Sequence, residues 1–418
     1  MRTNEAEVVI IGGGAGGLEA AIAARKSGAT NILVLERDER LGGILHQCIH
    51  NGFGLYRYKE ELTGPEYIAR VLAEFHALEI PHRMNAMVVD VTAQKKVLYV
   101  HPSDGLVEVK AKTVILAMGC REKTRHMIRL PGDRPAGIYT AGTAQRLMNI
   151  DGILPGREVV VIGSGDIGLI MARRCTLCGM LVKAVVEILP YPSGLIRNVV
   201  QCLYDFDITL LLSTKVNRIS GKKRVEGVTV TGIDDNGNCV SGSELGISCD
   251  TVLVAAGLVP ENELSRKAGV QISPLSGGPE IDQNMETSVA GIFSAGDVTY
   301  IHNLVDRVSE QGEAAGKKAV ELYTGASTCA KHERRKSIPV ECGPGLSFVA
   351  PQRIHLDGCD TVVLYFRATR PEENARVRVV NGAGDILSEQ KFRYLQPSQI
   401  ESISVKTTVS EAIRILVS

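Results

Sequence analysis

Val8-Val9-Ile10-Ile11 is an unbroken apolar run of the kind that fills a strand buried on both faces. Gly12-Gly13-Gly14-Ala15-Gly16-Gly17 follows at once, and the Ala-rich stretch Leu18 to Lys26 then predicts a helix. Asn31 to Glu36 (NILVLE) is the next buried strand. The three make a βαβ unit, whose parallel strands need helices on both faces. Residues 60 to 78 carry a helical pattern that opens near Thr63-Gly64-Pro65-Glu66. Ala86 to Val91, Lys96 to Val100 and Val107 to Val109 read as strands, with Pro102-Ser103-Asp104-Gly105 as a turn, and Lys112 to Met118 as a further strand ending at Gly119.

The opening pattern then recurs. Glu158 to Ile162 predicts a strand, Gly163-Ser164-Gly165-Asp166-Ile167-Gly168 a glycine turn, Leu169 to Cys178 a helix and Leu181 to Glu187 a strand. Residues 226 to 254 alternate strands and turns, Asp235-Asn236-Gly237 among them, and end in the run Thr251 to Ala256. After Thr324 the helical period stops. Pro339, Pro344 and Pro351 punctuate the chain, and Thr361 to Phe366, Ala375 to Val380 and Ile413 to Val417 are separated by Asp357-Gly358 and Asn381-Gly382. That rhythm predicts a small β-domain.

A length of 418 residues predicts two to three domains. Forty-seven Lys+Arg balance forty-seven Asp+Glu, so no global field exists to hold nucleic acid, and the Lys331 to Lys336 run reads as a solvated linker. Glycine stands out at 43 residues beside an apolar fraction of 44%, which marks bare-backbone positions among aliphatic runs and not disorder. Ten cysteines are too sparse for a disulfide scaffold and read as mostly reduced. The polar start, without a signal-peptide core, and the lack of a membrane-length apolar stretch predict a cytoplasmic protein with no transmembrane segment.

A pyrophosphate needs a helix N-terminus with free N–H groups and the positive end of the dipole. Gly12, Gly14 and Gly17 match the dinucleotide fingerprint between a strand and a helix: a tight turn, close approach to phosphate, close packing of helix on strand. Glu36 ends the next strand, where a carboxylate can accept hydrogen bonds from ribose hydroxyls. Gly163, Gly165 and Gly168 repeat the pattern with Glu187, whose charge repels a 2′-phosphate and favours NAD(H) over NADP(H); an exposed strand end is the alternative for Glu187. Two such modules imply two nucleotides.

Residues 1 to about 325 resemble the two-dinucleotide-domain flavoproteins, the pyridine nucleotide-disulfide oxidoreductases. Thr113 to Gly119 (TVILAMG) resembles the strand closing the FAD domain, Thr287 to Asp297 (TSVAGIFSAGD) the second FAD motif, and Ala255 to Pro260 the turn beside the nicotinamide module. The resemblance implies an α/β fold with two Rossmann-like three-layer domains plus the small C-terminal all-β domain. Its bounds are 1–124 and 250–328 for FAD, 125–249 for NAD and 337–418 for the β-domain. It places FAD against Gly12, Gly14, Ala15, Gly16, Gly17, Glu36, Arg37, Gly42, Gly43, Ala117, Gly119, Gly296, Asp297 (at the ribityl chain) and Gln311. It places NAD(H) against Gly163, Gly165, Asp166, Ile167, Gly168, Glu187 and Gly257. The Leu304 to Leu322 helix, with Ser309-Glu310-Gln311-Gly312 inside it, resembles the one whose backbone N–H groups approach flavin O2; an amphipathic surface helix is the alternative.

Leu41-Gly42-Gly43 and Thr63 to Glu66 look most like the thioredoxin-reductase branch, but where that branch carries a C-x-x-C this chain reads Gly137 to Ala144 without cysteine. The other branch's cysteine pair is represented by Cys48 alone, so a disulfide relay is not expected. Cys48, between His46 and His50, is the candidate catalytic thiol, with a neighbouring imidazole to lower its pKa; a small core residue is the alternative. Zinc on His46, Cys48 and His50 lacks a fourth ligand, and no metal is expected. Cys175 and Cys178 share a helix face and read as packing, while Cys329, Cys342 and Cys359 are too widely spaced for an iron–sulfur cluster. Gly42 to Gly54, Tyr139 to Leu147 and the β-extension look like the flavoprotein that accompanies bacterial glycerol-3-phosphate dehydrogenase and amine or opine dehydrogenase subunits. That implies hydride transfer between NADH and flavin in an electron-transfer subunit with a partner dehydrogenase, the β-domain being a candidate docking surface. The alternatives are a self-contained single-cysteine NADH oxidase or thiol reductase and a non-catalytic flavin-binding protein. A homodimer is left open.

Overall fold

The computed structural model describes residues 2–325, 337–355, 361–406 and 412–417. The chain divides into two units, one of residues 1–46, 51–120 and 260–418, the other of 47–50 and 121–259. Both are built on parallel sheets, a mixed α/β architecture as the repeated glycine turns predict.

In the first unit strand Arg2–Ile11 is central, parallel to Ile32–Leu35 on one side and to Gly105–Leu116 on the other. Gly105–Leu116 is a single strand where two were expected, because Lys110-Ala111-Lys112 holds no turn residue. Its first half pairs antiparallel with Lys96–His101, and its buried second half pairs parallel with Ile292–Ser294. Thr63 starts helix Gly64–Ala77 where the sequence places its opening, and a capping box closed by Glu66 holds the start. Helix Ala15–Lys26 is almost wholly buried and lies against helix Val305–Thr324. Their backbones touch: a Cβ on Gly312 would stand 2.2 Å from the Gly16 carbonyl oxygen, and one on Gly316 2.1 Å from that of Ala20.

The C-terminal strands form two sheets. Arg353–His355, Ser337–Cys342, Ile413–Val417, Glu372–Asn381 and Ile386–Leu395 make the larger; Leu346–Ala350, Thr361–Ala368 and Glu401–Lys406 make the smaller. Val340, Leu364, Phe366, Val377, Val379 and Ile415 fill the core between them. The Lys331 to Lys336 run, Cys329, Cys359 and the Asp357-Gly358 turn lie outside the described residues.

In the second unit, strands Ile138–Thr140, Thr251–Val254, Glu158–Ile162, Leu181–Val186 and Leu210–Leu211 lie side by side in that order, all parallel. Helices Ala141–Asn149, Asp166–Leu177 and Ile196–Cys202 accompany them. Cys175 sits fully buried in this unit's core beside Val159, Val161, Leu169 and Val185, where burial pushes its thiol up to about 12, so it packs. Among the described residues no helix is long and apolar enough to cross a membrane.

Gly316→Ala forces a methyl into a backbone contact, and urea unfolding should show a loss of about 1–3 kcal/mol. Gly246→Ala, at a position with open space around it, should stay within about 0.5 kcal/mol of wild type.

Candidate functional site

Each unit carries a glycine loop between a strand and a helix, and the two are built alike. In the first, Gly12 has φ +103°, and a Cβ there would stand 2.3 Å from the Ala117 carbonyl oxygen; one on Gly17 would stand 1.9 Å from that of Gly12. Only glycine permits either contact. Gly14 is the N-cap of helix Ala15–Lys26, with no side-chain cap and with nothing within 4 Å of where its Cβ would be. Open space thus stands beside the start of a buried helix whose first-turn N–H groups have no partner within the helix.

The loop is anchored by Glu36, 6% exposed, whose Oε2 accepts the Gly13 N–H at 2.7 Å and whose Oε1 accepts the Asp38 N–H at 2.9 Å. The paired glycines come to the same place: Gly42 donates to the Gly13 carbonyl at 2.7 Å, and Gly43 lies over Gly14. His46 packs beneath Gly42 with its Nε2 2.7 Å from the Leu41 oxygen. Gly119, at φ +73°, has open space around it and accepts the Glu261 N–H. Arg37 is half exposed and pairs with Glu261 at 3.6 Å. Gly16 packs on Val308, and Gly296 donates to Gln311 Oε1 at 3.0 Å. Asp297 Oδ1 accepts from the His302 N–H, and Cys120 Sγ stands 3.7 Å from Oδ2.

The helix after Asp297 begins at Val305, close to where the sequence places it, and the Arg307 N–H already donates to the Leu304 carbonyl; Ser309 to Gly312 lie inside the helix, beyond its first turn. Gln311 accepts the Gly296 N–H and donates to Tyr300, and the helix is amphipathic: Ser309, Gln311, Gly312 and Ala315 are buried, while Arg307, Glu310, Glu313 and Lys317 are exposed.

The second unit repeats the arrangement. Gly163 (φ +98°) presses on the Ala255 oxygen, Gly168 on the Gly163 oxygen, and Gly165 is an uncapped N-cap where an added Cβ would meet nothing nearer than Ser193 Oγ at 3.9 Å. Glu187 is 4% exposed, so the exposed strand end is set aside; Oε2 accepts the Ser164 N–H at 2.9 Å and Oε1 the Leu189 N–H at 3.0 Å. The hydroxyls of Ser164 and Ser193 donate to Oε2 as well. Asp166 turns its carboxylate to the Leu195 N–H and the Asn198 amide, so what it and Ile167 can offer a phosphate is backbone N–H. Gly257, at φ +100°, is approached by the end of Lys123. Each loop fits a dinucleotide pyrophosphate: bare N–H groups, a positive dipole end, and room where a side chain would intrude.

Where a thiol pair would precede the second loop, Thr140 and Thr143 stand at i and i+3 with their hydroxyl oxygens 2.8 Å apart. Glu122 accepts the Gly142 N–H between them at 2.7 Å. Sequence reading missed this pair because isolated threonines carry no signal. It also missed Tyr300, His302 and Arg367, which are distinguished only by what folding brings to them.

Cys48 follows the short 3-10 turn Gly43–Gln47 and groups with the second unit, its Sγ 3.8 Å from Gln145 Oε1. The expectation that an imidazole lowers its pKa is overturned: burial pushes the thiol up to about 12. Burial also holds His50 down to about 4, so it supplies no imidazolium near neutral pH. Among the described residues no cluster of His, Cys, Asp and Glu is arranged to hold a metal ion.

A family model described as pyridine nucleotide-disulphide oxidoreductase matches residues 6–327. The chain is 30% identical over 324 residues to an alkyl hydroperoxide reductase subunit of Pseudomonas aeruginosa, covering 74% of this chain and 57% of that one. It is 26% identical over 313 residues to an opine oxidase subunit of Agrobacterium tumefaciens, covering 70% and 61%. It thus spans about three fifths of the length of these relatives. Thioredoxin reductase from T. acidophilum shares the fold, with a TM-score of 0.63 at 22% identity over 78% of this chain and all of that one.

Because Cys48 is buried and held protonated, iodoacetamide at about pH 8 should leave it unmodified in the native protein and alkylate it after denaturation. The exposed Cys239 should react in both states, as peptide mass spectrometry will read.

Proposed function

We propose that this chain, which belongs to the pyridine nucleotide-disulphide oxidoreductase family, is an FAD-dependent NAD(H) oxidoreductase that serves as an electron-transfer subunit beside a partner dehydrogenase. The observation that carries the reading is the doubled site: two uncapped glycine helix ends, each anchored by its own buried glutamate. When bound, the two cofactors supply hydride exchange between nicotinamide and flavin.

The protein's part is to bind and orient. The loop Gly12 to Gly17 offers N–H groups to the FAD pyrophosphate, Glu36 retains lone pairs for ribose hydroxyls, and Asp297 meets the ribityl chain. Gly163 to Gly168 do the same for NAD(H), and the four donors that converge on Glu187 keep its charge fixed where a 2′-phosphate would come. Thr140 and Thr143 cannot carry electrons as a dithiol would, which supports a path that leaves the flavin for another protein. The likeness to a protein named as one subunit of an opine oxidase supports the same reading. The proposed partner oxidises glycerol 3-phosphate or an amine, and the free cysteines among the described residues fit a cytoplasmic setting.

Reduction of the bound flavin by NADH under anaerobic stopped-flow conditions tests this. The flavin's visible absorbance should bleach, with kcat/KM for NADH exceeding that for NADPH by about tenfold or more. An unbleached flavin at saturating NADH overturns the reading. Cys48→Ser should leave turnover with an artificial acceptor within about twofold of wild type, since a protonated buried thiol takes no part.

A further inference from the structure

The loop after Asp297 holds more polar groups than an approach to a helix requires. His302 donates its backbone N–H to Asp297 Oδ1 at 2.9 Å, and its Nδ1 stands 3.0 Å from the same oxygen. The His302 ring stacks on Tyr300 with centroids 4.3 Å apart. Its side chain is 3% exposed, and Nε2 has no hydrogen-bond partner. Tyr300, itself buried, accepts from Gln311 Nε2 at 2.6 Å, while Gln311 Oε1 accepts the Gly296 N–H. Gly296, Asp297 and Gln311 are thus held by two residues of one loop.

That loop is in turn held by the β-domain. Arg367, on strand Thr361–Ala368, donates from Nη2 to the Ile301 carbonyl at 3.0 Å and to Asn303 Oδ1 at 3.2 Å, gripping the residues on either side of His302. Asn303 donates to the Ser398 carbonyl. Phe348 packs on Tyr300 at 5.1 Å, and the Arg367 guanidinium lies 5.7 Å from the Phe348 ring centre. Burying a guanidinium with its Nε unpartnered is costly, and apolar packing alone would hold strand to loop more cheaply. The Asp297 carboxylate offsets part of that cost by its opposite charge.

We propose that Arg367 is a positioning residue of the FAD site: it fixes Ile301 and Asn303, through them His302, and through His302 the orientation in which Asp297 meets the ribityl chain. The β-domain is then part of the cofactor site and not only a surface for docking. This rests on the FAD reading above.

The test is FAD titration of the full-length apoprotein, with visible circular dichroism of the bound flavin. Arg367→Met keeps the stem on Phe348 and removes both donors; its Kd for FAD should rise about tenfold or more. The flavin's visible dichroism should change while the far-ultraviolet spectrum stays that of wild type, and Arg367→Lys should recover part of both. Wild-type affinity and dichroism in Arg367→Met overturn the proposal. Should that variant not fold, Asn303→Ala carries the test, because it removes an acceptor of Arg367 and the tie to Ser398: weakened binding supports the proposal and unchanged binding overturns it. A wild-type chain that takes up no FAD overturns the FAD reading and this proposal together, whereas wild-type uptake untouched by the variants overturns this proposal alone.

Discussion

Backbone touching backbone is the constraint on which both glycine loops depend. Gly17 sits on the Gly12 carbonyl and Gly168 on that of Gly163, at separations that leave no room for a methyl group. The contact brings each helix close enough to its strand for the N–H groups of its first turn to emerge at the strand's end. Gly312 and Gly316 extend the same logic through the first unit, bringing helix Val305–Thr324 onto helix Ala15–Lys26. Through that contact the Asp297 segment and the first glycine loop share one rigid scaffold.

The buried glutamates complete it. A carboxylate taken out of water needs donors, and Glu36 and Glu187 each find them in the N–H just after the first glycine of the loop and the N–H two residues ahead of themselves. One charge thereby fixes both the loop and the strand end. The same pair of donors thus recurs in each of the two units.

Much of this was legible beforehand, because the features were local. Strand, glycine turn and helix are adjacent in sequence, and the strand Glu158–Ile162 and the helix opening at Thr63 appear where the periodicity and residue chemistry place them. Two kinds of feature were not. Gly105–Leu116 was read as two strands because its exposed lysines break the apolar run while its backbone continues. The environment of Cys48 depended on burial, which neighbours in sequence do not report: a flanking histidine suggests an activated thiol, and desolvation reverses that for both groups. Arg367 belongs with these, since 64 residues separate it from the Asn303 it holds.

The order of segments has a consequence for how the chain is made. The second unit is almost continuous in sequence, so it can assemble as soon as residue 259 has emerged from the ribosome. The first unit cannot. Its strand Gly105–Leu116 waits for Ile292–Ser294 to cover its buried half, and its first helix waits for residues 305–324. During that interval an apolar sheet edge and an Ala-rich helix face stand open, while a finished domain follows them in the chain. Synthesis thus passes through a stage at which the first glycine loop has been made and the helix that supports it has not.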